Sequence, residues 1–176
     1  MAAEKHNEAY ARRYGRWTEA LRRRPWAPPL LGAVNRGIVW VFYGAYGVLL
    51  LGACVTSPWK LIALAGVPAA GFALVSRFRA RLNAPRPYEC CNVVPLIARD
   101  GAGASFPSRH AFSAAAIATS WFAASAPVAV ALLAATGVLA GCRVLGGVHF
   151  PRDVAAGVVL GMVVGAVAAA GSLLLP

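Results

Sequence analysis

Four stretches of this chain carry no charged residue at all, residues 37 to 56, 61 to 76, 111 to 142 and 154 to 176, and they restrict the possible folds more than any other feature. In a bilayer no water satisfies backbone N–H and C=O groups, so an apolar run crosses as a helix of roughly 17 to 25 residues. The run from 111 to 142 is too long for one span and is broken at Ser125-Ala126-Pro127, so it reads as two. The expectation is an all-α, polytopic membrane helical bundle of about five transmembrane helices, over residues 37 to 56, 59 to 76, 108 to 124, 127 to 145 and 153 to 175. A content of 59% hydrophobic and 13% charged residues fits that class and not a soluble domain. A single bundle consumes residues 36 to 176, leaving residues 1 to 35 as a basic N-terminal segment.

The first apolar run is not a secretory leader, because it is too long and lies behind some thirty-five largely polar and basic residues. Within that segment Tyr10, Tyr14, Trp17 and Leu21 share one helical face, while Arg12, Arg13, Arg16, Arg23 and Arg24 fall largely elsewhere. Aromatic on one side and basic on the other predicts an N-terminal amphipathic interfacial helix over residues 4 to 24, lying among lipid headgroups. A net charge of +11 raises nucleic acid as a partner, but the basic residues flank spans and form no separate basic domain, which excludes it. Cys90 and Cys91 are adjacent and lack metal or redox spacing, so they and Cys54 and Cys142 read as unpaired thiols. Gly157, Gly161 and Gly165 recur every fourth residue in the last span, as do Gly137 and Gly141 in the fourth. Small residues at that spacing let helix backbones approach closely inside the bundle.

With five spans, the loops place sixteen of the seventeen Lys and Arg residues on one side of the membrane and only Lys60 on the other. The loops 77 to 110 and 143 to 153 therefore share a compartment. Each holds polar residues against an apolar run: Ser105-Phe-Pro-Ser-Arg-His110 in the first, and Arg143, His149 and Asp153 in the second. Charged groups cost on the order of 2.5 to 3.5 kcal/mol at a bilayer centre and are kept near span ends where they are used. Arg79, Arg86, Arg109 and Arg143 offer planar forks of donors suited to phosphate oxygens, and Ser108 adds a hydroxyl. Pro107-Ser108 and Pro151 are plausible helix starts, whose free N–H groups also meet an anion. His149 and Asp153 stand four residues apart, so the carboxylate can hold one ring nitrogen and leave the other as a nucleophile. His110 then fits as the acid that protonates a leaving oxygen and later activates water. The arginines supply the charge that a metal would otherwise provide, so no cofactor is expected.

These residues resemble the type-2 phosphatidic acid phosphatase family, which also includes the vanadium-dependent haloperoxidases. The family pattern runs K-x6-R-P, then P-S-G-H, then S-R-x5-H-x3-D. Here Arg79 with Arg86-Pro87, Pro107-Ser108-Arg109-His110, and Cys142-Arg143 with His149 and Asp153 occur in that order and spacing. The resemblance covers roughly residues 76 to 176. It implies a helical bundle, His149 as nucleophile oriented by Asp153, His110 as acid and base, and Arg79, Arg86, Ser108, Arg109 and Arg143 around a phosphate. Three positions depart from the pattern: Arg79 replaces Lys, Arg109 replaces Gly, and Cys142 replaces Ser. The nucleophile and acid are intact, so activity is expected with an altered pocket.

The implied function is a metal-independent integral membrane phosphatase that hydrolyses a lipid phosphate, either a polyprenyl or glycerolipid phosphate or diphosphate, through a phosphohistidine. A phosphotransferase working from the same intermediate and a non-enzymatic membrane protein with a degenerate site are the alternatives. The expected partners are the bilayer and the lipid substrate. Two arguments about sidedness conflict: the resemblance implies an extracytoplasmic site, whereas the eight basic residues of the tail favour a cytoplasmic one. The tail charges, unlike the loop arginines, are not needed for catalysis and therefore weigh more.

Overall fold

The computed structural model describes residues 2–97 and 102–175, and Arg99 and Asp100 lie outside that range. Among the described residues seven α-helices follow in order: α1 (Ala2–Arg22), α2 (Ala27–Thr56), α3 (Val67–Leu82), α4 (Pro87–Cys90), α5 (Arg109–Ser120), α6 (Ala126–Leu145) and α7 (Pro151–Leu173). A π-helical turn at Ile62–Gly66 precedes α3, and a 3-10 turn at Trp121–Ala123 continues α5. Prolines in the first turn set the starts of α2, α6 and α7, where a missing N–H costs nothing. Pro68 also lies at the start of α3 and donates no backbone bond. The Leu64 carbonyl in the turn before it accepts instead from the Tyr46 hydroxyl at 2.9 Å.

Among the described residues, α2, the helix through the π-turn and α3, α6 and α7 are long and apolar enough to cross a membrane. The remaining expected span, residues 108 to 124, forms α5 and its 3-10 turn. At about 1.5 Å per residue, the 12 residues of α5 reach only about 18 Å of a roughly 30 Å hydrocarbon core. That length suffices because α5 is enclosed by the other helices over most of its length: Ala111, Phe112 and residues 114 to 120 are all buried. Helix α2 begins ten residues before the first uncharged run, and Asn35 is buried within it.

The tightest packing is between α5 and α7. A Cβ at Gly157 would lie 2.5 Å from the Ser108 carbonyl, one at Gly161 2.2 Å from that of Phe112, and one at Gly165 2.4 Å from that of Ala116. The stripe on α7 thus faces α5 along its length, as expected. The pair on α6 does not behave this way: among the described residues nothing lies within 4 Å of a Cβ at Gly137 or Gly141, so they mark no close helix approach there. Residue spacing alone does not reveal which way a helix is turned.

Helix α1 docks across the end of the bundle that carries the loops between α3 and α5 and between α6 and α7. Tyr10, Tyr14 and Thr18 are buried. The Tyr14 hydroxyl donates to the Leu145 carbonyl at 2.9 Å, the Tyr10 and Phe150 rings meet edge to face at 4.7 Å, and Arg22 donates to the Val94 carbonyl. Its aromatic face is therefore largely used on the protein itself, with Trp17 left exposed beside the arginines. Gly147, at φ +76°, accommodates Tyr14, whose hydroxyl would lie 2.6 Å from a Cβ there.

Replacing Gly161 by Ala forces α5 and α7 apart. Overpacking of this kind costs roughly 1–3 kcal/mol, lowering Tm by about 3–10 °C. Gly137→Ala, facing open space, leaves Tm unchanged or slightly raised; thermal unfolding of the purified protein in detergent compares the two.

Candidate active site

The site is assembled at the N-terminal ends of α5 and α7. Ser108 precedes α5, and its N–H donates to the Asp153 carbonyl at 2.8 Å, joining the first turns of the two helices. Asp153 stands in the first turn of α7, where its Oδ2 accepts the Phe150 N–H at 3.1 Å and caps the helix. His149 lies just before that helix, and both side chains are 1% exposed. Their separation, 3.8 Å from Nδ1 to Oδ2, is too long for a direct hydrogen bond. Ser105 fills the gap: its hydroxyl donates to Asp153 Oδ2 and lies 3.3 Å from His149 Nδ1. Burial pushes the His149 imidazole down to about 4; the Asp153 carboxylate pulls it up, and the charges of Arg143 and Arg86 push it down further. At neutral pH the ring is uncharged.

Each predicted arginine has a definite place. Arg143, near the end of α6, is buried; it donates to Asn35 Oδ1 at 3.3 Å and to His110 Nδ1 at 3.2 Å. A guanidinium only donates, so Nδ1 of His110 is the acceptor and its proton lies on Nε2. Arg86 donates from Nε to the Gly103 carbonyl and from Nη1 to the Val148 carbonyl, both at 2.9 Å, tying the loop before α5 to the residue preceding His149. Arg79 is also buried, and its guanidinium bonds the carbonyls of Ala104, Ser105 and Pro107. It grips the loop that carries Ser105 and Ser108. The Ser108 hydroxyl is fully buried and has no hydrogen-bond partner among the described residues, although it stands at the start of α5.

Arg109 is not gathered with the others. Its side chain is exposed and its guanidinium lies over the Phe72 ring, 5.8 Å from the centroid. With His110 it lines a cavity of about 340 Å³ between α2, α3, α5 and α6, whose walls include Val39, Phe42, Tyr43, Ile117 and Leu139.

Three contributors escape the sequence reading. Ser105 lies in a stretch that stands out, yet nothing marks which of its polar residues turns inward. Asn35 falls in what reads as tail. Glu89 reads as an ordinary loop charge, but its carboxylate accepts the Arg86 N–H at 2.6 Å and the Gly103 N–H at 2.8 Å, fastening two loops.

The protein is similar in structure to LpxE from Aquifex aeolicus, with 24% identity and a TM-score of 0.67 over 86% of this chain and 90% of that one. It is also similar to the first transmembrane PAP2 type phosphatidylglycerolphosphate phosphatase from Bacillus subtilis, with 20% identity and a TM-score of 0.73 over 99% of this chain and 88% of that one. No curated protein matches the chain. These identities establish a shared fold, and the PAP2 superfamily model matches residues 60–172, which contain all eight predicted site residues. The chain is a multi-pass membrane protein that belongs to the PAP2 superfamily.

Proposed function

We propose that the protein is an integral membrane phosphatase that hydrolyses a lipid phosphate through a phosphohistidine, without a metal ion. The observation that carries this reading is the convergence of His149, His110, Arg86 and Arg143 from four separate segments, with His110 also lining an apolar cavity. With its proton on Nδ1, His149 attacks phosphorus through the Nε2 lone pair. A P–N bond forms, the P–O bond to the lipid breaks, and the leaving oxygen takes the Nε2 proton of His110, which enters this step as the imidazolium, protonated on Nδ1 by solvent once Arg143 turns to the phosphate, and leaves it as the neutral ring. Water then gives a proton to His110 and attacks the phosphohistidine, releasing phosphate and restoring both rings. Arg86, Arg143, the Ser108 hydroxyl and the first N–H groups of α5 hold the phosphoryl oxygens, with Arg79 clamping the loop that presents them. Arg109 stands further out, lining the cavity, where it meets the lipid headgroup. The apolar walls suit an acyl or prenyl chain, as in a polyprenyl or glycerolipid phosphate or diphosphate.

His149→Ala abolishes phosphate release and covalent phosphoenzyme. His110→Ala lowers kcat by roughly 10²- to 10⁴-fold, and near-wild-type turnover there removes its role as acid. Because His149 is active when unprotonated and its burial places that ionisation at about 4, kcat/KM falls as pH drops through about 4. An acid limb near the ordinary histidine value, belonging to His149, contradicts this assignment.

Among the described residues no three His, Cys, Asp or Glu side chains gather to hold a metal, and arginines surround the nucleophile instead. Full phosphate release is expected in excess EDTA. Loss of activity that magnesium or zinc restores defeats the metal-independent reading.

The site end and the basic helix α1 lie on the same side, and we place that side in the cytoplasm on the strength of the free basic charges of the tail. Cys91 is a poor probe of this, since it is 3% exposed and burial pushes its thiol up to about 12. Asn92 is exposed. In a cysteine-free background, Asn92→Cys should react with a membrane-impermeant maleimide only after cells are permeabilised. Labelling of intact cells reverses the orientation.

A further inference from the structure

Ser105 belongs to no matched block of the family pattern, yet it is 1% exposed and touches both members of the His149 and Asp153 pair. A hydroxyl has one proton and two lone pairs. The ionised carboxylate accepts only, so the proton of Ser105 goes to Asp153 Oδ2 and a lone pair faces His149 Nδ1. Nδ1 therefore carries the ring proton, which frees the Nε2 lone pair. The direct path from Nδ1 to Oδ2 spans 3.8 Å, so the carboxylate reaches the ring through the serine.

The position of Ser105 is held from two elements besides this pair. Its N–H donates to the Ala84 carbonyl at 2.9 Å, and Arg79 of α3 bonds its carbonyl and those of Ala104 and Pro107. Asp153 is fixed independently by capping α7. Two anchors thus set the hydroxyl between two groups that are too far apart to hydrogen-bond directly.

We propose that Ser105 is a positioning residue, interposed between Asp153 and His149, which fixes the tautomer and aim of the nucleophilic imidazole and relays the carboxylate's charge to it. The proposal rests on His149 being the nucleophile. As Nε2 bonds to phosphorus and the ester oxygen leaves with the His110 proton, the His149 ring becomes cationic. Its Nδ1 proton stays in place and bonds Ser105 more strongly, and the Ser105 O–H polarises towards Asp153. No proton passes along the chain; attack by water reverses the charge.

The test uses the full-length protein and a lipid phosphate that the wild type hydrolyses. A hydrogen bond to a charged group accounts for about 10- to 100-fold in rate, so Ser105→Ala should lower kcat by that factor and slow phosphoenzyme formation equally, with KM changed less than about threefold. If the serine acts through the carboxylate, the Ser105→Ala, Asp153→Asn double variant turns over about as slowly as Asp153→Asn alone. A purely structural role gives losses that multiply, and that result, or a wild-type kcat in Ser105→Ala, overturns the proposal. Should Ser105→Ala fail to fold, Ser105→Cys, close in size but a weak donor, enters the same cycle with the same expected non-additivity. Wild-type activity that survives in His149→Ala, or a wild type that releases phosphate from no lipid phosphate, overturns the phosphatase reading and this proposal with it. Normal loss in His149→Ala with an indifferent Ser105 overturns this proposal alone.

Discussion

The close approach of α5 to α7 is the constraint on which the rest of the molecule depends. Three glycines on α7 let the α5 carbonyls of Phe112 and Ala116, and that of Ser108 just before it, come where a side chain would otherwise stand. Without water to drive apolar surfaces together, membrane helices associate through such close packing. The same contact ends in chemistry, because its last member, Gly157 against Ser108, lies one turn from Asp153. There the Ser108 N–H meets the Asp153 carbonyl, and two segments far apart in the chain become one site.

A second economy lies in how the arginines are used. A buried guanidinium demands several hydrogen-bond acceptors, and loops that leave a helix supply unpaired carbonyls. Arg79 and Arg86 meet that demand with the carbonyls of Gly103, Ala104, Ser105, Pro107 and Val148, so they order the loops that carry Ser105, Ser108 and His149. Arg143 does the corresponding work between α2 and His110. The positive charge gathered here also holds the site in shape.

Helix α1 completes this end of the bundle. Tyr10 against Phe150 and Tyr14 against Leu145 and Gly147 brace both sides of His149, so a segment outside the family match supports that residue. The aromatic stripe was legible as amphipathic character, but a stripe of tyrosines suits a headgroup layer and a protein surface alike.

Much of this protein was decided by local pattern. Uncharged runs of about a bilayer's thickness dictate membrane helices whatever their neighbours, and Arg79, Arg86, Ser108, His110, Arg143, His149 and Asp153 stand in the order and spacing of the family pattern they resemble. What the chain alone left open is everything that depends on how a helix is rotated or where a loop turns back. Glycines at the same spacing pack against α5 in α7 and face open space in α6. Of the four predicted arginines, three enter the interior and Arg109 lies on the surface over Phe72. Ser105, Asn35 and, at Gly103, Glu89 meet partners 14 to 108 residues away in sequence. Spacing along a helix is a local property written in the sequence, whereas a hydrogen bond between distant loops exists only once the bundle has brought both backbones to the same place.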